Sequence, residues 1–355
     1  MPARRGKKSR SASSATQKRK KEHLKLALER GEMPGSRGNG FDRYIFLHNA
    51  LPEVNISDID LGTTFLGKSI KAPLLISSMT GGFDLARKVN RNLARAAQQL
   101  GLAMGVGSQR VALEDQNVAR SFEVRDLAPE ILLLSNLGAV QLNYGYSVEQ
   151  CRQAVQMIQA DGLILHLNVL QEAVQPEGNR NFKGLTGKIA DVCRQLEVPV
   201  MAKEVGNGIS SSVALRLKRS GVKAIDVAGR GGTSWYAIEA ERATRTGQPV
   251  DLTFANWGIP TDEALVEVRK VTPDLEIVAS GGIRNGLDIA KAIALGADIA
   301  AIGQPLLEPA LKSADEVIEF LSGIIQEIKI AMLCVGVTDL RHLRRVLLRR
   351  QTPEE

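Results

Sequence analysis

The sequence predicts an α/β fold, a (β/α)₈ TIM barrel with an N-terminal extension, and three observations support this prediction. Eight short, almost continuously apolar segments alternate with longer amphipathic segments, as expected for parallel strands buried on both faces. Hydrophobic residues make up 44% of the chain, aromatic residues only 4%, and there are 33 glycines, which suits an aliphatic interior with glycine-rich loops. Eight such units in one run favour a closed barrel over an open doubly wound sheet, which usually has fewer strands.

The individual strands and helices follow in order from this alternation. We predict strands at Pro73–Ser77, Ala103–Val106, Ile131–Ser135, Gly162–Leu167, Pro199–Lys203, Ala224–Val227, Glu276–Ala279 and Ile299–Ile302. We predict helices between them at Asp84–Leu100, Ser147–Gln159, Leu185–Leu196, Ser210–Ser220, Thr261–Val271 and Leu287–Leu295. Ser147 followed by Gln150 has the form of a capping box, which indicates a helix start.

The barrel is predicted over residues 73–335, with added segments on both sides. Residues 1–18 are expected to form a disordered basic arm, and residues 19–72 an N-terminal extension before the barrel. The extension contains a predicted short helix near Lys20–Arg30 and a glycine-rich turn at Gly35–Gly40. An insertion over roughly 229–260 follows the sixth strand, and a helix is predicted at about Asp315–Leu333. Residues 336–355 form a basic tail whose arginines are predicted to lie on a solvated helix face.

The charge of the chain is concentrated at its N-terminus. The formal net charge is +7, but nine lysines and arginines precede Glu22 without any acid, and the remaining 37 basic residues face 39 acidic ones. The body is therefore not a basic nucleic-acid surface, and we expect no nucleic-acid partner. The arm somewhat resembles an organelle transit peptide, but it lacks the apolar stretch of a secretory signal. Since no apolar run is long enough to span a membrane, we expect no membrane partner and a cytoplasmic location.

The cysteines do not indicate a disulfide framework or a zinc site. Cys151, Cys193 and Cys334 lie far apart, without any CxxC spacing. Each lies in a helix-like stretch beside apolar residues, so we interpret all three as buried structural thiols.

Polar residues and glycines follow every predicted strand. In this fold the active site is built from the loops after the strands, so these residues are the candidates for function. The candidates are Ser78, Met79, Thr80, Ser108, Gln109, Arg110, Asn136, His166, Asn168, Gln171, Glu172, Lys203, Thr233, Gly282, Ile283, Arg284, Gly303 and Gln304.

The turns after the seventh and eighth strands predict a phosphate site. The segment SGGIRNG begins at Ser280 and a further glycine, Gly303, follows the eighth strand. Glycine allows close backbone approach, and free N–H groups at a helix start attract a dianion. The alternative is that these glycines only make tight turns.

Two other strand ends carry side chains that a barrel core does not need. Lys203 ends a buried strand, where a charge is costly unless it is paired or used, so we predict a functional role for it. A lysine that reached a flavin ring would favour negative charge on the ring. The alternative is a salt bridge to a neighbouring strand end such as Glu172. His166 and Asn168 face the same side of the fourth strand, and Glu172 is a candidate metal ligand or acid. The alternatives are a satisfied core histidine and a carboxylate favoured by a helix start.

These motifs resemble those of the flavin-dependent, type 2 isopentenyl-diphosphate Δ-isomerases. The resemblance runs from about Arg19 to the C-terminus. It rests on RKKEH at 19–23, SSMTGG at 77–82, GSQR at 107–110, HLNVLQEAVQPEGNRNF at 166–182, KEVGNGIS at 203–210, AGRGGTSW at 228–235 and SGGIRNGLDIAKAIALGAD at 280–298. In this order the motifs are highly specific together, although each is only moderately specific alone.

The resemblance implies an isomerase of isoprenoid biosynthesis that interconverts isopentenyl and dimethylallyl diphosphate, with FMN as cofactor, NADPH as reductant, and Mg²⁺. The reaction is redox-neutral, so reduced flavin would act as an acid and base. A homo-oligomer, a tetramer or an octamer, is also expected. Flavin contacts are implied for Ser78, Met79, Thr80, Ser108, Asn136, Lys203, Thr233, Gly282, Ile283, Arg284, Gly303 and Gln304. Substrate contacts are implied for Arg19, Lys20, His23, Ser108, Gln109, Arg110, His166, Asn168 and Gln171. Of these residues, Gln171, Lys203 and His166 would be catalytic, and Glu172 would bind Mg²⁺.

Two other functions compete with this one. An FMN-dependent α-hydroxy-acid oxidase or dehydrogenase would share the phosphate turns, but it needs a histidine base followed closely by an arginine after a late strand. The segment DVAGRGGTSW has no histidine, and the chain's histidines are His23, His48, His166 and His342. A nucleic-acid-associated protein would use the basic arm, and the near-neutral body argues against it.

Overall fold

The computed structural model describes the backbone of residues 5–29, 38–245 and 253–351, and side chains from Gln17 onward within these ranges. The first half of the predicted turn at Gly35–Gly40 therefore lies outside the described residues, as does part of the predicted insertion at 229–260. Strands lie at β1 Tyr44–Phe46, β2 Thr63–Phe65, β3 Lys68–Ile70, β4 Leu74–Ile76, β5 Ala103–Gly105, β6 Leu133–Gly138, β7 Gly162–Leu167, β8 Val200–Glu204, β9 Ala224–Asp226, β10 Glu276–Ala279, β11 Ile299–Ile302 and β12 Leu348–Arg350.

The eight strands β4 to β11 form a closed parallel barrel, in which β11 pairs with β4. This confirms the predicted (β/α)₈ barrel. The bounds of β7, β10 and β11 are those predicted, and the other barrel strands differ from prediction by one to three residues at an end. The apolar runs predict the strands well because both faces of each strand are covered.

Helices surround the barrel. They lie at α1 Arg5–Glu29, α2 Asp84–Leu100, α3 Arg110–Glu114, α4 Val148–Ile158, α5 Val169–Val174, α6 Leu185–Gln195, α7 Ser211–Arg219, α8 Trp235–Arg245, α9 Thr261–Val271, α10 Gly286–Ala294, α11 Leu307–Lys312, α12 Ala314–Val335 and α13 Leu340–Leu343. The capping box predicted at Ser147 and Gln150 is present at the start of α4. No helix within the described parts of the chain combines the length and apolar character that a membrane span needs.

A short hairpin closes the N-terminal end of the barrel. Strands β2 and β3 are joined by Leu66 and Gly67, which both have positive φ (46° and 78°), as a two-residue type I′ turn requires. Phe65 is fully buried beneath the inward-facing residues of the barrel strands. The backbone N–H of Leu66 donates to both carboxylate oxygens of Glu276, at the start of β10. Because this hairpin covers the N-terminal end of the barrel, the carboxyl ends of the strands stay free to form a site.

The two ends of the chain meet in a second small sheet, which corrects one prediction. The arginines of the tail were expected on a solvated helix face, and Arg341 does lie exposed on α13. Arg349 and Arg350 instead lie on β12, which pairs with β1 in antiparallel register. The N–H of Gln351 extends this pairing by donating to the carbonyl oxygen of Arg43 at 2.7 Å. The partner strand lies about 300 residues earlier in the chain, so local charge pattern alone does not reveal the pairing.

The N-terminal helix is also longer than predicted. A disordered arm was expected over residues 1–18 and a helix only near Lys20–Arg30, whereas α1 begins at Arg5. The physical reason is local: neither glycine nor proline occurs between Lys7 and Arg30, and the lysines, arginines, alanines and leucines there favour a helix. The side chains before Gln17 lie outside the described residues.

Candidate functional site

A cavity with a volume of about 280 Å³ opens at the carboxyl ends of the barrel strands. Five of the barrel strands supply a polar floor to it, because the residue two positions beyond an apolar, inward-facing residue is polar and lines the cavity: Ser77, Asn136, His166, Lys203 and Ser280. The predicted site residues that line the cavity are Arg19, Lys20, His23, Ser78, Met79, Thr80, Ser108, Arg110, Asn136, His166, Asn168, Gln171, Glu172, Lys203, Thr233, Gly282, Ile283, Arg284, Gly303 and Gln304.

The structure does not bring Gln109 into this site, which corrects its prediction as a substrate contact. The Gln109 side chain is fully buried in the barrel wall. Its amide nitrogen donates to the carbonyl oxygen of Ala154, and its Oε1 accepts the N–H of Asn136. Gln109 therefore joins the end of β6 to α4, while its neighbour Ser108 faces the cavity.

Helix α1 covers the cavity and supplies cations to it. Lys20 donates from Nζ to the carbonyl oxygen of Ser108 at 2.6 Å and lies over the ring of Phe122. Burial, together with the neighbouring Arg19, lowers the pKa of Lys20 to about 7. Arg19 itself donates to Oε1 of Gln175 at 3.2 Å. These groups are poised to take up an anion, whose charge would restore the full charge of Lys20.

A buried carboxylate on α8 fixes the middle of α1. Oε1 of Glu239 lies 2.9 Å from Nε2 of His23 and accepts hydrogen bonds from Gln175 at 2.7 Å and Gln171 at 3.4 Å, while Oε2 accepts from Arg242 at 2.5 Å. Burial alone would raise the pKa of Glu239, but the contacts with His23 and Arg242 hold it at about 2. Burial lowers the pKa of His23. Glu239 was not among the site residues predicted from the sequence.

His166 is held neutral in the polar layer. Its Nδ1 lies 2.8 Å from Oδ1 of Asn136, and since that oxygen only accepts, Nδ1 carries the proton and Nε2 is the free acceptor. Burial lowers the pKa of His166 to about 3, and the charges of Lys203 and Lys20 add to this effect. In this state Nε2 of His166 is able to accept a hydrogen bond from a ligand, and the ring offers no positive charge.

Asn168, Gln171 and Glu172 form a connected group at the start of α5. Asn168 donates to Oε1 of Gln171 at 3.1 Å and to Oε1 of Glu172 at 3.2 Å. The other Glu172 oxygen accepts the N–H of Asn179 at 2.5 Å. Oδ1 of Asn168 is buried without a hydrogen-bond partner among the described residues. A buried acceptor of this kind indicates that a ligand supplies the missing donor.

Lys203 is paired, but not with the residue considered from the sequence. Its Nζ donates to the carbonyl oxygen of Glu204 at 2.7 Å and lies 3.5 Å from Oδ2 of Asp226. The alternative of a salt bridge to a neighbouring strand end is therefore confirmed, but the partner is Asp226 and not Glu172, because the pairing of β8 with β9 places Asp226 directly opposite Lys203. Side chains opposite each other on parallel strands share a face, so both groups point into the barrel.

The glycine turns after β9 and β10 pack directly against each other. Gly231, Gly281 and Gly282 all have positive φ (141°, 104° and 81°). A Cβ on Gly282 would overlap the carbonyl oxygen of Gly231, and one on Gly281 would overlap that of Gly229. Only glycine allows this close approach of two backbones, which leaves a cradle beside the start of α10.

The chemistry of the cavity fits a flavin mononucleotide better than a resident metal. The cradle presents glycine backbone beside the start of a helix, a setting that suits a phosphate. The hydroxyl of Ser78 is buried without a partner among the described residues, as expected where a ligand supplies one. The described side chains contain no group of three or more histidines, cysteines, aspartates or glutamates that could hold a metal ion. Glu172, the metal ligand predicted from the sequence, is thus not part of such a group of ligands.

The cysteines lie away from this chemistry. Cys151 is buried and Cys193 and Cys334 are partly buried, so the prediction of buried thiols is confirmed only for Cys151. Burial raises the pKa of Cys151 to about 12 and that of Cys193 to about 11. Neither thiol is a nucleophile at neutral pH.

The fold and the cradle define a class of protein. The model of the FMN-dependent dehydrogenase family matches residues 12–124 and 150–350, so the chain belongs to that family. Its fold is similar to that of a mandelate oxidase variant (TM-score 0.63, 18% identity, covering 93% of this chain and 96% of that one) and of flavocytochrome b2 with pyruvate bound (TM-score 0.66, 16% identity, covering 92% and 82%). At these identities the likeness shows the fold alone.

Curated relatives narrow this class to one group. The chain is 50% identical over 335 residues to the isopentenyl-diphosphate delta-isomerase of a Nostoc species, covering 94% of this chain and 96% of the relative. It is also 50% identical to that of a Synechococcus species, over 94% and 96%, and 48% identical to that of Rickettsia peacockii, over 93% and 97%. Within the FMN-dependent family the chain belongs with the isopentenyl-diphosphate delta-isomerases.

Proposed function

We propose that the chain interconverts isopentenyl diphosphate and dimethylallyl diphosphate with FMN bound at the carboxyl ends of the barrel strands. One observation carries this proposal: the same cavity is lined both by glycines of the cradle and by cationic side chains of α1, which would give two separate places for anions. The first is the glycine cradle beside α10, which suits the single phosphate of FMN. The second is the cationic surface of α1 with Arg19 and Lys20, which suits a diphosphate.

The residues that would hold FMN divide between ring and phosphate. Gly282, Ile283, Arg284, Gly303 and Gln304 would surround the phosphate. The ring and its side chain would contact Ser78, Met79, Thr80, Ser108, Asn136, Lys203 and Thr233. The ammonium group of Lys203 would favour negative charge at the pyrimidine end of the ring.

The substrate would lie between the flavin and α1. Arg19, Lys20 and Arg110 would bind the diphosphate, which would raise the pKa of Lys20 again and keep this residue charged. His166, Asn168 and Gln171 would line the path to the hydrocarbon end, and Ser108 and His23 would complete the wall. Since α1 covers the cavity, the hydrocarbon would be kept from water, which strengthens electrostatic interactions within the site.

The chemistry requires a proton to be added at one carbon and removed from another, without net oxidation. When it is bound in reduced form, FMN supplies a proton at N5 and an electron-rich ring beside developing positive charge. Gln171 would be oriented toward the reacting end by Asn168 and Glu239, which both contact its side-chain amide. His166 would remain a neutral acceptor, because a second buried cation beside Lys203 is unfavourable.

Mg²⁺ would enter with the diphosphate. Mg²⁺ is commonly bound by one or two carboxylates together with substrate phosphates and waters, so Glu172 alone suffices on the protein side. The use of NADPH as reductant, a cytoplasmic location and assembly as a tetramer or octamer stay predictions.

The cofactor assignment is tested on purified protein. We expect yellow protein that releases FMN, and no FAD, on denaturation. Adding NADPH under anaerobic conditions should bleach the flavin spectrum. Protein that binds no flavin when FMN is supplied in excess would refute the proposal, and reduction of the flavin by an α-hydroxy acid would favour the oxidase alternative.

A further inference from the structure

A buried carboxylate, that of Asp226, lies beside Lys203 and has no role in the proposed reaction. Asp226 is fully buried at the end of β9, directly opposite Lys203 in the register of the barrel. Its Oδ1 accepts hydrogen bonds from the hydroxyl of Ser280 at 2.6 Å and from the N–H of Ala228 at 3.1 Å. The first of these links β9 to the end of β10, and the second stabilises Ala228 at a φ of 36°. Asp226 is thus rigidly placed by two neighbours.

The second oxygen of Asp226 faces Lys203 alone. Oδ2 is buried and has no hydrogen-bond partner among the described residues, and the ammonium nitrogen of Lys203 lies 3.5 Å away. An ionised carboxylate without a compensating charge is very unfavourable in such a place, so the two charges depend on each other. At 3.5 Å the interaction is an ion pair without a full hydrogen bond, since Lys203 donates to the carbonyl oxygen of Glu204.

We propose that Asp226 is a positioning residue that holds the Lys203 ammonium at the cavity floor and partly neutralises its charge toward the flavin. This inference rests on the proposed binding of FMN. A lysine without a counter-ion would stabilise the negative charge of reduced flavin strongly and would raise the reduction potential. With Asp226 behind it, Lys203 stabilises the reduced ring less. Such a balance suits a reaction in which the flavin stays reduced but exchanges protons, because the ring must keep its basicity.

Neutralising Asp226 and neutralising Lys203 are predicted to shift the midpoint potential of bound FMN in opposite directions. Asp226→Asn keeps an oxygen for Ser280 and Ala228 but removes the negative charge, so it should favour reduced over oxidised FMN by about 10-fold. For a two-electron couple this corresponds to a midpoint potential about 30 mV higher. Lys203→Gln removes the positive charge and should shift the potential at least as far downward. A role of Asp226 in folding alone predicts no upward shift.

The experiment measures the midpoint potential of FMN-loaded protein against a redox dye under anaerobic conditions, at saturating FMN and without substrate. Asp161→Asn is the matched control, because Asp161 is also an ion-paired carboxylate of the barrel, in contact with Lys68 and Arg125. Asp161 directly precedes β7, so it lies at the end of the barrel opposite the cavity. This control should leave the potential unchanged. Asp226→Ser, which is also neutral and polar, should raise the potential as Asp226→Asn does. Asp226→Ser replaces Asp226→Asn in the experiment if Asp226→Asn does not fold.

The outcomes separate this inference from the proposed function. An upward shift for a neutral Asp226 variant with a downward shift for Lys203→Gln supports the inference. FMN-loaded protein whose potential is unchanged or lowered by neutralising Asp226 overturns it and leaves the isomerase proposal intact. Wild-type protein that binds no FMN overturns both.

Discussion

The side-chain amide of Asn39 donates to the carbonyl oxygen of Gly282 at 2.7 Å and to Oδ2 of Asp288 at 2.9 Å. Asn39 belongs to the segment before the barrel, and it is buried although it is polar. Its own Oδ1 accepts the N–H of Phe41, and its carbonyl oxygen accepts that of Asp262. One residue of the N-terminal extension therefore clamps both the glycine turn and the first turn of α10, where the phosphate of FMN is proposed to bind.

The clamp predicts that Asn39→Ala weakens FMN binding. The variant loses three side-chain hydrogen bonds, those to Gly282 and Asp288 and that from the N–H of Phe41. It leaves the Asp288 carboxylate without its Asn39 donor near the phosphate, so we expect affinity to fall by about 10- to 100-fold, or about 1.4–3 kcal/mol. Fluorescence quenching of FMN by the apoprotein gives this affinity. Asn55→Ala is the control, since Asn55 caps an exposed turn of the same extension. Equal affinity of the Asn39 variant and wild type would show that the clamp does not affect the phosphate site.

The glycine cradle predicts a strong effect of a single methyl group. Gly282→Ala places a Cβ against the carbonyl oxygen of Gly231 at a φ of 81°, so the two turns must separate. We expect folded protein that is nearly colourless, and Gly282→Asp should be colourless because it also adds negative charge. The control is Gly323→Ala, at a helical position where a Cβ meets no atom within 4 Å. Stoichiometric FMN in Gly282→Asp, measured by absorbance, would place the phosphate elsewhere.

The lowered pKa of Lys20 predicts a pH dependence of substrate capture. Lys20 is charged below its pKa of about 7 and neutral above it, so it attracts a diphosphate less as pH rises. The groups that act on it are Arg19 and Arg110, which lower its pKa, and Glu114, which raises it. We expect kcat/KM, which reports the free enzyme, to decline above pH 7. Lys20→Arg stays charged and should move this decline to higher pH. A decline that is identical in the variant would assign the titration to another group.

Glu204 predicts a pH dependence of stability. Its carboxylate accepts the N–H groups of Val205 at 2.6 Å and Gly206 at 2.7 Å, and also that of Asn207, yet burial raises its pKa to about 7 from 4.5. Since the folded pKa lies above the unfolded one, this contribution to stability is complete below about pH 4.5 and is lost as pH rises through 7.

Glu204→Gln removes this titration. The free energy of unfolding of wild type, relative to this variant, should decrease by about 3 kcal/mol between pH 4.5 and 8, since each pKa unit corresponds to 1.36 kcal/mol. Urea unfolding of both proteins across this range provides the measurement. A difference that does not depend on pH would mean that Glu204 titrates at its ordinary pKa.

The sequence predicted those parts of the molecule that depend on local pattern. The barrel strands are apolar runs, and side chains such as Ser78 and His166 follow directly from their position at strand ends. The prediction of Gln109 as a substrate contact was wrong, because the position of a residue at a strand end does not fix the direction of its side chain. Asp226 could have been found: it stands two residues after Ala224, so it faces the barrel interior with Lys203.

Other features depend on contacts between distant parts of the chain. Asn39 lies more than 240 residues from Gly282, and nothing in the sequence around either residue indicates the hydrogen bond between them. In the sequence, Glu239 resembles an ordinary charged residue on a helix surface, because its contact with His23 of α1 forms only in the folded protein. The pairing of β1 with β12 and the hairpin that buries Phe65 likewise depend on the closed barrel being present. Such contacts follow from tertiary packing and not from local propensity.

The central claim, isomerisation of a diphosphate with reduced FMN, is tested most directly by one anaerobic assay. FMN-loaded protein is incubated with isopentenyl diphosphate and Mg²⁺, with the flavin either oxidised or fully reduced, and the product is separated and identified. The account predicts dimethylallyl diphosphate with reduced FMN only, and no further consumption of reductant during turnover. Absence of dimethylallyl diphosphate when FMN is bound and reduced would contradict it.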